Sequence, residues 1–249
     1  MSLPLRSTSP VADAYDVWDR AHRNHNAGTF PTEVLRLIER MLPSQIRASA
    51  ETGCGKSTIL FSAVSDHHTV FTLDDRSEGE QSSVEFFLRC PITRQDRVET
   101  VYGPTQRTLP YYEHKHRYDV VLLDGPHGWP MPELEYYFFY PHIEPEGLLI
   151  IDDCNIPTIG RMGDILAEDE MWDLEALIGT SAVFRRTNAP MLDPTGDGWW
   201  EQRFNRRRVS RSRSIHLSDG PIRNTISDLR LDAKLFGDPV DQEEASPEA

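Results

Sequence analysis

Ala50-Glu51-Thr52-Gly53-Cys54-Gly55-Lys56-Ser57 stands between a short apolar run, Ile46 to Glu51, and a helical stretch from Ser57 to Asp66. A glycine-rich turn that leaves a strand and opens a helix lets a ligand lie against bare backbone. Two patterns fit this segment. With alanine in the first glycine position it reads as a phosphate-gripping P-loop, in which Lys56 and Ser57 hold the phosphates and Leu123-Asp124 or Ile151-Asp152 supplies the magnesium-side strand end. As E-x-G-x-G it sets Glu51 beside the ligand, where a carboxylate competes with a phosphate chain and suits a cationic group. A dinucleotide turn would want a further glycine or alanine at position 58, which is Thr58.

Outward from this loop, apolar runs alternate with helical stretches. Strands are expected at 46–51, 68–73, 98–102, 118–123 and 147–151, and helices at 57–66, 82–89, 132–142 and 159–167. Such alternation demands right-handed crossovers and a mostly parallel sheet. Val120 to Leu123 and Leu148 to Ile151 are apolar at every position, as strands covered on both faces are. Trp172–Ile178 and Ser181–Arg186 are separated only by Gly179-Thr180, and so short a connector joins antiparallel strands. The expected fold is α/β: a Rossmann-like, seven-stranded, mostly parallel sheet with helices on both faces and a C-terminal antiparallel hairpin.

The flanks differ from this centre. Val11 to His25 and Pro31 to Leu42 repeat apolar residues at helical spacing. With a Ser- and Pro-rich start they form an expected N-terminal part, 1–42, whose helices cap the site. Residues 43–188 are the expected cofactor-binding core. Residues 189–249 form a C-terminal extension expected to be partly disordered, with an arginine-rich block from Arg203 to Arg213 and an acidic end, Asp238 to Ala249. Apolar residues make up 38% of the 249 and the 15 glycines add about 6%, a total just under the usual range of roughly 45–50%, which agrees with some chain lying outside the core.

A net charge of −14 disfavours general nucleic-acid binding and anionic lipid. Three cysteines without C-x-x-C spacing exclude a disulfide framework and a zinc ribbon. Residues 1–10 lack a secretory pattern, and no apolar run nears the roughly 20 residues that span a bilayer. A cytoplasmic protein with no membrane partner is expected.

Acids punctuate the strand ends. Asp74, about 20 residues beyond the glycine loop, suits the hydroxyls of a ribose, and Gly103-Pro104-Thr105 would border its base. Asp124-Gly125-Pro126-His127 and Asp152-Asp153 follow two neighbouring strands, whose carboxyl ends converge on one crevice. Three aspartates together ask for a cation, and an all-oxygen set suits Mg2+, Mn2+ or Ca2+ rather than zinc. S-adenosylmethionine, with an ammonium, a sulfonium and no phosphate, matches the E-x-G-x-G reading of Glu51, Gly53 and Gly55.

From about Ile46 to Thr187 these motifs resemble class I S-adenosylmethionine-dependent methyltransferases, in particular the small metal-dependent O-methyltransferases of the catechol O-methyltransferase kind. The resemblance implies that Glu51, Gly53, Gly55, Asp74, Thr105 and Asp124 bind the cofactor and that Asp124, Asp152 and Asp153 hold a divalent ion such as Mg2+. His127 falls where the catechol enzymes carry a basic lysine, so His127 and Asp124 are the implied catalytic pair. Two departures stand out: the family's Pro-Gly-Gly before the fifth strand is Pro145-Glu146-Gly147, and the second acid of the metal pair is Asp153 rather than an amide.

The implied acceptor is a small molecule with a hydroxyl group. A non-catalytic cofactor-binding module and the P-loop hydrolase remain the alternative readings. Trp129 and the run Tyr136 to Tyr140 supply aromatic surface, expected to be buried on one side and to form a subunit contact or substrate wall on the other. A homo-oligomer is therefore compatible with the sequence. His22 and His25 would face the acceptor pocket from the first helix.

Overall fold

The computed structural model describes residues 7–21, 30–193 and 196–206. Its strands run β1 Ile46–Thr52, β2 Ser65–Thr72, β3 Val98–Tyr102, β4 Tyr118–Leu123, β5 Ile143–Ile151, β6 Trp172–Ile178 and β7 Ser181–Arg186. The helices are α1 Pro10–Ala21, α2 Thr32–Met41, α3 Lys56–Val64, α4 Ser83–Arg89, the single turn α5 Thr105–Thr108, α6 Met131–Phe139 and α7 Pro157–Glu168. The strands form one seven-stranded sheet in the order β3-β2-β1-β4-β5-β7-β6, parallel from β3 to β5 and closed by the antiparallel β6–β7 hairpin. This is the α/β architecture expected from the sequence.

The unbroken apolar runs serve two cores at once, because successive side chains of a strand point to opposite faces. Val120, Leu122, Leu148 and Ile150 pack with Leu35, Ile38, Ile59, Leu60 and Phe87 under α2, α3 and α4. Val121, Leu123, Leu149 and Ile151 pack with Phe139, Ile159, Met162 and Leu166 under α6 and α7. The aromatic run on α6 divides the same way: Phe139 and Tyr140 are buried and Tyr137 is exposed.

An N-terminal layer closes over α3. Buried Glu39 of α2 accepts the backbone N–H groups of Val11 and Ala12 at 3.1 and 2.8 Å, satisfying the open first turn of α1. Helix α1 ends at Ala21. His22, His25, the acidic end and the arginine block beyond Arg206 lie outside the described residues.

Among the described residues no helix is long and apolar enough to cross a membrane. Strand β5 starts at Ile143, earlier than the apolar run suggests, through an irregular register opposite Tyr118 and Val120. Glu146 takes φ 67° in this segment, a left-handed conformation that favours glycine.

Candidate functional site

Strand order reverses direction at β1, which has β2 on one side and β4 on the other. Open α/β sheets bind ligands outside the carboxyl ends of the strands at such a switch point. A cavity of about 680 Å3 lies there, lined by Gly53, Cys54, Asp75, Thr105, Asp124 and Gly125 among others. Gly53, at φ 81°, leaves β1 in a turn that brings its backbone against Asp124, and a Cβ there would sit 2.3 Å from the Asp124 carbonyl oxygen. The first glycine of the motif is thus required by contact between two strand ends.

Glu51 does not line this cavity. Its side chain is fully buried, accepting a hydrogen bond from the Thr58 hydroxyl and lying 3.2 Å from His68 Nε2. Where the sequence reading sets Glu51 beside the ligand, inward alternation along β1 turns its carboxylate toward Thr58 of α3. Lys56 departs from the P-loop reading as well, since its ammonium donates to the Phe30 carbonyl at 3.2 Å, 6.0 Å from the centre of the Tyr15 ring. It is committed to the N-terminal layer.

The acid after β2 is likewise redistributed. Asp74 forms a two-pronged ion pair with Arg76, at 2.8 and 2.7 Å, which holds its carboxyl below the usual range, and it does not line the cavity. Asp75 does. Its carboxylate accepts from the Ser82 hydroxyl at 2.6 Å and from the backbone N–H groups of Ser83 and Val84 at 2.6 and 3.2 Å, fixing the start of α4.

Beyond β4 and β5, three donors gather. Ligand atoms of Asp124, His127 and Asp153 all lie within 4.8 Å of one another. His127 Nε2 is 3.3 Å from Asp153 Oδ2 and 3.8 Å from Asp124 Oδ1. The hydrogen bond to Asp124 raises the imidazole pKa above its ordinary value. Burial pushes the Asp124 carboxyl up to about 6 against the hydrogen bond from His127, with Asp152, Glu51 and Asp153 adding to the rise. The loop is tied to α7 by a 2.8 Å bond from the Thr158 hydroxyl to the His127 carbonyl.

Asp152 is not one of this trio, although its charge contributes to the rise of Asp124, and its carboxylate is engaged by the hairpin. Its Oδ1 accepts the Thr180 and Ser181 hydroxyls at 3.0 and 2.7 Å, at the turn between β6 and β7. Asp153, the next residue, adopts φ 53°, a left-handed conformation that aspartate tolerates better than most residues. The thiols of Cys54 and Cys154 are each pushed up to about 12 by burial, so neither is a ready thiolate.

One participant escapes a strand-end reading altogether. Glu135 on α6 is buried behind the cavity, its Oε2 accepting the Thr52 hydroxyl at 2.7 Å, and burial pushes its carboxyl up to about 7. The signal in the sequence is its spacing of four from Phe139, which puts a carboxylate on the buried stripe of an aromatic helix.

Residues 50–154 match the family described as Methyltransferase domain. The fold is that of the class I S-adenosylmethionine-dependent methyltransferases. The chain is similar to a protein assigned as an O-methyltransferase from Klebsiella pneumoniae, with 16% identity, a TM-score of 0.54, and coverage of 72% of this chain and 90% of that one. The O-methyltransferase of Bacillus cereus in complex with S-adenosylhomocysteine shares 16% identity at a TM-score of 0.52, covering 72% and 91%. A protein assigned as a caffeoyl-CoA O-methyltransferase from Staphylococcus aureus shares 12% at 0.50, covering 70% and 91%. No curated protein sequence matches the chain.

Proposed function

We propose that this methyltransferase domain binds S-adenosylmethionine in the switch-point cavity and transfers its methyl group to a hydroxyl of a small molecule. The observation that carries the reading is the double membership of Asp124: it lines the cavity and belongs to the cluster with His127 and Asp153. A cofactor site and a set of proton-handling groups thereby share one wall.

Methyl transfer from a sulfonium is an in-line displacement, so most of the rate comes from holding the acceptor oxygen behind the methyl carbon. Gly53 and Gly125 present backbone to the cofactor, Thr105 borders its base, and Asp75 is the carboxylate on the cavity wall for the ribose hydroxyls. His127, oriented by Asp124 and Asp153, takes the proton of the acceptor hydroxyl once its own raised pKa is passed. Activity therefore rises with pH as the imidazole becomes neutral.

Two carboxylates and an imidazole fit a hard divalent cation such as Mg2+, and the upward shift of Asp124, due first to burial and then to neighbouring negative charge, is one that an ion would relieve. Asp124 and Asp153 would hold it, with His127 beside them. When bound, such an ion lowers the pKa of a coordinated hydroxyl.

Separate calorimetric titrations with S-adenosylhomocysteine and ATP test the cofactor, and only the former is expected to bind. Binding of ATP alone overturns the reading. Binding without transfer to any of a panel of phenolic and aliphatic hydroxyl acceptors leaves a cofactor-binding module instead. Full turnover in excess chelator removes the ion and leaves His127 to act without it.

A further inference from the structure

We infer that Glu135, which lies outside the cavity, is a positioning residue that sets the spacing of the three loops forming the cofactor crevice. The inference rests on the proposed cofactor reading and extends it to a helix that touches no ligand. Glu135 is 2% exposed, so its bonds are made to protein. Its Oε2 accepts the Thr52 hydroxyl at the end of β1. The oxygen of that hydroxyl accepts the backbone N–H of Asp124, at 3.1 Å, after β4. One carboxylate thus bolts together the two strand ends between which the crevice opens.

The other oxygen, Oε1, occupies the space in front of Gly125, where a Cβ would lie 2.1 Å from it. Gly125 lines the cavity, so the carboxylate fixes how closely the loop after β4 approaches α6. Thr105 completes the arrangement. Its buried hydroxyl and Glu135 Oε1 are both without a hydrogen-bond partner among the described residues, the hydroxyl is near enough to lower the Glu135 pKa, and the residue lines the cavity from the start of α5. Three walls therefore meet at a side chain that none of them exposes.

A residue retained for packing alone would be replaceable by any group of its size, and its loss would appear in stability. A positioning residue gives the opposite pattern. Removing the carboxylate strands the buried Thr52 hydroxyl, a cost partly offset by relief of desolvation at a pH where the group is ionised, while the loops lose their common anchor, so binding falls by more than stability does.

The experiment measures S-adenosylhomocysteine affinity and melting temperature at pH 8 for wild type, Glu135→Gln, Glu135→Ala, Gly125→Ala and the Gly125→Ala/Glu135→Ala pair. Glu135→Gln, which still accepts from Thr52, is expected to bind within about threefold of wild type. Glu135→Ala is expected to weaken binding roughly tenfold or more without a matching fall in melting temperature. Gly125→Ala should weaken binding alone but add little to Glu135→Ala, since the atom it strikes is gone.

Wild-type affinity in Glu135→Ala overturns the inference, as do losses that simply add in the pair. Should Glu135→Ala fail to fold, Gly125→Ala alone decides, because its methyl group displaces the same carboxylate. Failure of wild type to bind S-adenosylhomocysteine is a different result, which sinks the cofactor reading itself.

Discussion

Asp74-Asp75 and Asp152-Asp153 are the same dipeptide in the same setting, just past the carboxyl end of a parallel strand, yet the members of each pair do different work. After β2, the first aspartate is spent on a surface arginine and the second braces α4 at the cavity wall. After β5, the first is pinned by two hydroxyls of the hairpin turn and the second joins Asp124 and His127. In both pairs the second aspartate is the one on the crevice side, Asp75 on the cavity wall and Asp153 in the cluster with Asp124, which lines it. Strand alternation stops at the last ladder bond, and the turn that follows decides which carboxylate a ligand meets.

The widest divergence is expected within the second pair. Asp153→Asn should cut methyl transfer roughly a hundredfold or more while unfolding like wild type, because asparagine tolerates the left-handed φ and the partner lost is the imidazole. Asp152→Ala should instead cost about 1–3 kcal/mol of stability by stranding the Thr180 and Ser181 hydroxyls, with a smaller effect on turnover. Equal kinetic losses in the two variants would erase the distinction drawn here. Chemical denaturation alongside single-turnover assays separates them.

In the first pair the contrast is one of stability and affinity. Asp75→Ala removes three bonds from the start of α4 and should cost about 1–2 kcal/mol, with weaker cofactor binding. Asp74→Ala should leave the melting temperature within error, since its pair with Arg76 is solvent-screened.

A titration sharpens the comparison further. Neutralising Asp153 removes a negative charge that opposes ionisation of Asp124, so Asp153→Asn should move the Asp124 carboxyl below its value of about 6 by up to about one unit. Asp74→Asn, far from that group, should not move it. Carboxyl-carbon chemical shifts followed with pH report both without reference to turnover.

Glu135 supplies a pH effect of its own. Its folded-state pKa of about 7 lies above the ordinary 4.5, so the folded protein holds this proton more tightly than the unfolded chain does. Stability contributed by the protonated form is present below 4.5 and is lost as pH rises toward 7. Glu135→Gln should flatten that decline in a series of melts.

The smallest effect concerns two left-handed residues, Asp153 and Glu146. Glu146→Gly should stabilise the fold by up to about 1 kcal/mol by relieving its φ, offset in part by the entropy of glycine. Asp153→Gly relieves the same kind of conformation but removes a carboxylate from the crevice. Only the second should abolish activity.

The sheet was legible because its signals are local and strong. Val120 to Leu123 and Leu148 to Ile151 can be satisfied only between two layers, and Gly179-Thr180 permits only a hairpin. Asp124 and His127 were legible because a strand end places them by topology. The engagements of Glu51 and Asp152 were not legible because residue type and spacing do not fix the direction of a side chain: one points inward from its strand, and the other is captured by a turn nearly 30 residues away in sequence. Asp75 lost out to Asp74 for the same reason. Glu135 was invisible to a motif reading, since its importance lies in contacts to residues as distant as Thr52.

The engagement of Lys56 with the Phe30 carbonyl has a consequence for anyone tempted to repair the spelling of the glycine loop. Ala50→Gly would complete a nucleotide-binding consensus letter for letter, yet residue 50 lies in a strand zipped to Thr69 and Val121, and the lysine is already moored elsewhere. The edited protein would carry a perfect signature and no appetite for ATP.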